Sequence, residues 1–169
     1  MPTVAFLTAA VALSGVWLLL AAGIGHLRNR VWLRAVLSAQ GTLPIRLRPL
    51  VVAALGPVEI LLGLACLGLT ILQQPGHKAL LLVLAATYVA FAVATAVVVR
   101  RSPGAPCGCF SDQTPASWAT VTRSAVLAVA AAVTAMTTTP APGLCLAAGA
   151  VVAVVLWVLP QVSAATTRR

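Results

Sequence analysis

A chain of 169 residues that is 61% hydrophobic and 8% charged, with a mean hydropathy of +1.05, is too apolar for a soluble domain of its length. Its net charge of +9 arises from 11 Lys and Arg set against only Glu59 and Asp112. The basic residues stand singly or in small groups between apolar runs instead of forming a patch on a polar domain, so they report orientation in a bilayer and exclude nucleic acid as a partner.

A helix crossing about 30 Å of hydrocarbon needs about 20 mostly apolar residues, and five windows qualify: 3–25, 49–72, 78–99, 118–137 and 143–162. The expected fold class is therefore all-α, a multi-span transmembrane bundle in which residues 1–169 form a single integral membrane domain. The first window lacks a basic n-region and is longer than a secretory h-region, so it is expected to remain in the mature protein.

The connections differ sharply in charge. Arg28, Arg30, Arg34, Arg46 and Arg48 lie between the first two spans, Arg100 and Arg101 follow the third, and Arg168 and Arg169 close the chain. The opposite connections, QQPGHK and TTTPAPG, contribute only Lys78. The positive-inside rule then puts the N-terminus outside, and the C-terminus and the loop after residue 101 at the cytoplasmic face. Within the first connection, Arg30, Arg34 and Ser38 recur at helical spacing as a polar stripe, with Val31, Trp32, Ala35 and Val36 covering much of the remainder. That pattern predicts an amphipathic helix lying in the interface.

The third connection holds RRSPGAPCGCFSD, in which Cys107 and Cys109 flank Gly108. A cysteine in an apolar helix is ordinarily a small packing residue, which is the plain reading of Cys66 and Cys145. Packing does not account for a pair in a polar loop among Pro103, Gly104 and Pro106. Two residues of extended chain span at most about 7 Å, whereas a disulfide requires Cα atoms roughly 4.4–6.8 Å apart, so a bond between these cysteines needs a sharp bend, which Gly108 permits. The small ring would constrain the unfolded chain little and would exchange readily. Arg100, Arg101 and Arg123 favour thiolate in an accessible loop. Two readings compete with redox chemistry: a soft metal ion on both thiolates, for which four closed ligands are not found because His77 belongs to the other face and His26 is a single residue, and an incidental structural pair.

PCGCFSD followed by WATVTRSAVLAV, and preceded by GHLRN and GPVEILLGLACL, resembles the MauE branch of the MauE/DoxX membrane proteins over about residues 15 to 135. In that family a Cys-Gly-Cys-Phe loop precedes a helix carrying an arginine, and a glutamate follows a proline in the second span. The matching positions are Cys107, Gly108, Cys109, Phe110, Arg123, Glu59 and Pro57; the pattern differs at Ser111, where glycine is usual, and at Ser124, where asparagine is usual. The resemblance implies a thiol-disulfide exchange protein with a four-helix core similar to the DsbB and vitamin K epoxide reductase group. It would support disulfide formation or redox maturation of a client protein, or exchange with a thioredoxin-like thiol carrier.

Glu59 lies about ten residues into its span, roughly 15 Å deep at about 1.5 Å per residue, and an intramembrane acid is a functional hypothesis by default. It reads as a neutral hydrogen-bonded carboxyl, as a proton acceptor beside a quinone serving as electron acceptor, or as a partner for Arg123. Cys66 and Cys145, both toward the outer face, form a candidate second thiol pair. Two further function classes stay open: a non-catalytic scaffold of a redox complex packing through AAGIG, GLACLG and AAVTA, and a small transporter using Glu59.

Overall fold

The computed structural model describes residues 2–108, 115–137 and 141–166. Six helices occupy them in chain order: α1 (Pro2–Arg28), α2 (Arg30–Gln40), α3 (Arg48–Ile71), α4 (His77–Arg101), α5 (Trp118–Met136) and α6 (Pro142–Thr166). Where water is absent, a segment must satisfy its own backbone polar groups, and a helix does so residue by residue. Four helices, α1, α3, α4 and α5, are long and apolar enough to span a bilayer; the described part of α6 that meets the same composition, Pro142–Val158, is shorter.

The molecule is apolar outside as well as inside. Val4, Leu7, Leu61, Leu64 and Val129 are each more than half exposed, as residues that face lipid should be. The interior is built from small side chains, with Ala9, Ala12, Ser14 and Ala131 almost fully buried, because close helix approach is what holds a bundle together in lipid. Of the small-residue runs noted in the sequence, Gly23, Cys66 and Ala131 are buried in the bundle, whereas Ala21 and Ala65 are exposed.

Helix α1 is the hub, packing against α3, α5 and α6, while α4 packs on α5. On its α6 side, the Trp17 indole Nε1 donates to the Leu146 carbonyl at 3.1 Å, and a Cβ at Gly149 would lie 3.0 Å from the Ala10 carbonyl oxygen. On its α3 side the contact is glycine on glycine. A Cβ at Gly23 would meet the Gly56 carbonyl at 3.0 Å, and one at Gly56 would meet the Gly23 carbonyl at 3.0 Å. The Tyr88 hydroxyl of α4 donates to the Gly15 carbonyl at 2.6 Å.

Helix α2 forms as the amphipathic pattern predicts, and its ends have local causes. Asn29 Oδ1 accepts from the Trp32 amide at 3.2 Å, a side-chain N-cap, and Gly41 stops the helix in the left-handed region at φ 64°. The packed face differs from the expected one. Leu33, Val36, Leu37 and Gln40 are buried, whereas Val31 is 83% exposed, because α2 turns its 33/36/37/40 face onto the start of α3, where Leu33 and Leu37 meet Val52.

Candidate functional site at the cysteine loop

The alternation of the chain brings the end of α1, the start of α3, the end of α4 and the start of α5 to one end of the bundle. Arg28, Arg30, Arg34, Arg46, Arg48, Arg100 and Arg101 gather there with the cysteine loop. The loop is pinched at its base, where Pro106 and Pro115 form an antiparallel bridge and the Ala116 amide donates to the Ala105 carbonyl at 2.9 Å. The cation of Arg100 sits 5.5 Å over the Trp118 ring, tying the end of α4 to the start of α5.

Three successive carbonyls of this segment are held from within the bundle. Gln40 Nε2 donates to Pro106 O at 2.9 Å and to Cys107 O at 3.1 Å, and Gln40 is itself fixed by Ser102 Oγ, which donates to its backbone carbonyl at 2.9 Å. His26 Nε2 donates to Gly108 O at 2.8 Å. The other ring nitrogen, Nδ1, lies 2.7 Å from Glu59 Oε2, with the two side chains only 5% and 3% exposed. It is the one ion pair among the described residues.

The protonation of this chain of contacts follows from its acceptors. A carbonyl can only accept, so Nε2 carries a hydrogen, and the Nδ1···Oε2 contact then needs one further proton, held either by an imidazolium or by a neutral carboxyl. Both arrangements are neutral overall, which is what a bilayer interior tolerates. The glycine contact lies beside the pair: Gly23 precedes His26 by about one turn of α1 and Gly56 precedes Glu59 by about one turn of α3.

Gly108 adopts φ 84°, the sharp bend expected at this position, and a Cβ there would lie 2.9 Å from Val36 Cγ1. Gly108→Ala is expected to cost about 1–2 kcal/mol from the left-handed conformation alone. Adding Val36→Ala should relieve the contact but not the backbone strain, so only part of the loss returns; equilibrium unfolding in mixed micelles measures both. Cys107 itself is half-buried. Cys109 and Phe110 lie outside the described residues.

The remaining predicted site residues fall into two groups. Arg123 donates through Nη1 to the Leu156 carbonyl of α6 at 3.2 Å; of the three readings of Glu59, the contact with His26 on the neighbouring helix matches the hydrogen-bonded carboxyl. Cys66 is buried as a free thiol whose Sγ approaches the Leu80 carbonyl at 3.7 Å, so the structure does not bridge it to Cys145, which is buried in the core on α6. No group of three or more His, Cys, Asp or Glu converges among the described residues, and both nitrogens of His26 are already engaged.

Two residues of the site, His26 and Gln40, carry more than the sequence reading assigned them. The first apolar window ends at residue 25 and leaves His26 in a connection, whereas α1 continues to Arg28. An ionisable residue in the last turn of a span was the available signal. Gln40 has none, being a polar residue at the end of a short amphipathic helix.

A cavity of about 420 Å³ opens beneath the loop, with His26, Glu59, Gln40, Cys107 and Arg123 among its lining residues. Comparison with curated proteins and with solved structures gives no match. A family model described as methylamine utilisation protein MauE matches residues 3–137, a stretch containing α1 to α5, the His26–Glu59 pair and the cysteine loop, and the chain is accordingly a multi-pass membrane protein belonging to the MauE family.

Proposed function

We propose that this protein carries out thiol-disulfide exchange within the membrane, with Cys107 and Cys109 as the redox pair. The observation that supports this reading best is the anchoring of the loop. A buried His–Glu pair and a glutamine are costly in an apolar bundle, and here they are spent on the successive carbonyls of Pro106, Cys107 and Gly108. Holding the backbone on both sides of Cys107 presents its sulfur in one orientation, which an exchanging thiol needs if one cysteine is to attack and its neighbour to resolve the mixed disulfide. The partner is a client protein or a thioredoxin-like thiol carrier. Because the arginines share an end with the loop, the positive-inside rule supports a cytoplasmic loop and an external N-terminus.

Side-specific labelling with a membrane-impermeant maleimide in intact cells and inverted vesicles, before and after mild reduction, tests the reading. Exchange predicts that Cys107 and Cys109 become labelled only after reduction, from the cytoplasmic side, and that Cys107→Ser traps or abolishes mixed disulfides with a partner. Labelling that does not respond to reductant, together with full partner assembly by the double serine variant, would instead make the protein a scaffold.

A further inference from the structure

Helix α2 joins the arginine-rich end of the bundle to the cysteine loop, with one face toward each. Its buried face carries Gln40, which holds the Pro106 and Cys107 carbonyls, and Val36, which packs close to Gly108. Its exposed face carries Arg30, Arg34 and Ser38 at helical spacing. The tertiary structure adds a third guanidinium to that stripe: Arg48, from the start of α3, donates through Nη1 to Ser38 Oγ at 3.4 Å and through Nε to the Leu43 carbonyl at 3.1 Å. None of the three meets a carboxylate among the described residues, where the one ion pair is His26–Glu59; the chain's other acid, Asp112, lies outside them. Aliphatic side chains stand in the open among these cations, Val31 at 83% exposure and Ile45 at 76%.

We propose that this face of α2 binds the phosphate headgroups of anionic phospholipids, and that the binding seats the helix that holds the cysteine loop. The surface stands without the exchange reading; its effect on the loop extends that reading. Guanidiniums pair bidentately with phosphate oxygens, and each basic residue near an anionic membrane surface strengthens attachment by about fivefold. Cations interleaved with exposed aliphatics are the pattern of a helix lying in the interface. A free phosphate would leave Val31 and Ile45 in water, whereas the acyl chains beneath a headgroup cover them. The seat of α2 is thin enough for such a partner to matter. A helix of 11 residues is marginal by itself, and the small apolar cluster under it, Leu33, Leu37 and Val52, is separate from the main core.

The full-length protein in a non-ionic detergent is titrated with phosphatidylglycerol or with phosphatidylcholine of the same acyl chains, and bound lipid is counted by native mass spectrometry. Tighter retention of phosphatidylglycerol is expected, falling about fivefold with each of Arg30→Gln and Arg34→Gln and unchanged in Lys78→Gln, an exposed cation at the opposite end. Equal retention of the two lipids overturns the lipid site and leaves the surface to an acidic protein; a loss in Lys78→Gln as large as in Arg30→Gln overturns its location. The effect on the loop is read with reduced protein in nanodiscs of phosphatidylcholine alone or mixed equally with phosphatidylglycerol, as the rate at which a neutral maleimide alkylates Cys107, located by peptide mass spectrometry. Alkylation should slow in the mixed bilayer, and the slowing should vanish in Gln40→Ala although that variant still retains phosphatidylglycerol. An anionic surface also lowers the thiolate fraction on which alkylation depends, but slowing from that cause would persist in Gln40→Ala, and its persistence overturns the coupling. Neither readout requires disulfide exchange, so failure of the lipid surface and failure of the exchange reading are told apart.

Discussion

His26→Ala is expected to destabilise the bundle by about 3 kcal/mol, the lower end of the cost of removing one partner from a buried ion pair. The lower end applies because a membrane-embedded reference state lets Glu59 find other partners. Two contacts go at once, the 2.7 Å contact to Glu59 and the 2.8 Å bond to Gly108 O. Glu59→Gln should cost less, since an uncharged amide still hydrogen-bonds to Nδ1. The double variant should cost less than the sum, because once His26 is gone the second change removes no contact between the pair. Reversible unfolding in a sodium dodecyl sulfate titration gives all three values, and additivity within about 0.5 kcal/mol would sink the coupling. A second readout separates function from stability. Loss of the Gly108 anchor frees the loop backbone, so alkylation of Cys107 under native conditions should accelerate in His26→Ala. An unchanged rate would mean that the imidazole supports the helices but not the loop.

Gly23→Leu should be at least as damaging, for a reason that lies in the backbone. Its Cβ would stand 2.8 Å from Ile60 Cγ1 and 3.0 Å from both Glu59 Cβ and the Gly56 carbonyl oxygen. A side chain can rotate away from such a clash, but a carbonyl of a packed helix cannot, so α1 and α3 must separate. Overpacking of this kind costs about 1–3 kcal/mol, and the separation also opens the His26–Glu59 contact. The expected total is therefore about 3 kcal/mol or more when part of the ion-pair term is added. Gly68→Ala is the control, since nothing lies within 4 Å of a Cβ there and alanine in a helix interior gains about 0.5–1 kcal/mol over glycine. Equal behaviour of Gly23→Leu and Gly68→Ala in the same titration would contradict the crossing. On the proposed exchange function, activity should fall with Gly23→Leu even under conditions where the protein stays folded, because the anchor of the loop depends on the distance between the two helices.

Both experiments bear on how the site is encoded. In a soluble protein a buried His–Glu pair competes with water; here it competes with hydrocarbon, and its retention has to be justified by something the pair holds. That something is one carbonyl of the cysteine loop. Gly23, Cys66 and Ala131 of the small-residue runs lie inside the bundle, while Ala21 and Ala65 face outward.

The amino-acid sequence by itself determined that the chain is a bundle of apolar helices, that an amphipathic helix follows the first of them, and that two cysteines share a glycine-bent loop at the arginine-rich end. These properties are sums or spacings over neighbouring residues, and a window of about 20 residues is enough to read them. Only the tertiary structure decided what Glu59 is paired with. His26 and Glu59 are 33 residues apart, and no local pattern distinguishes His26 from Arg123 as the partner of an intramembrane acid. The choice is made by which faces of α1 and α3 meet, and Gly23 and Gly56 let the two helices come so close there that a Cβ on either would lie 3.0 Å from the other's carbonyl oxygen. The same holds for Gln40. Its side chain reaches the loop because α2 rolls its Leu33 and Leu37 face onto α3, and the energy that rolls it belongs to the contact between helices and not to either helix alone.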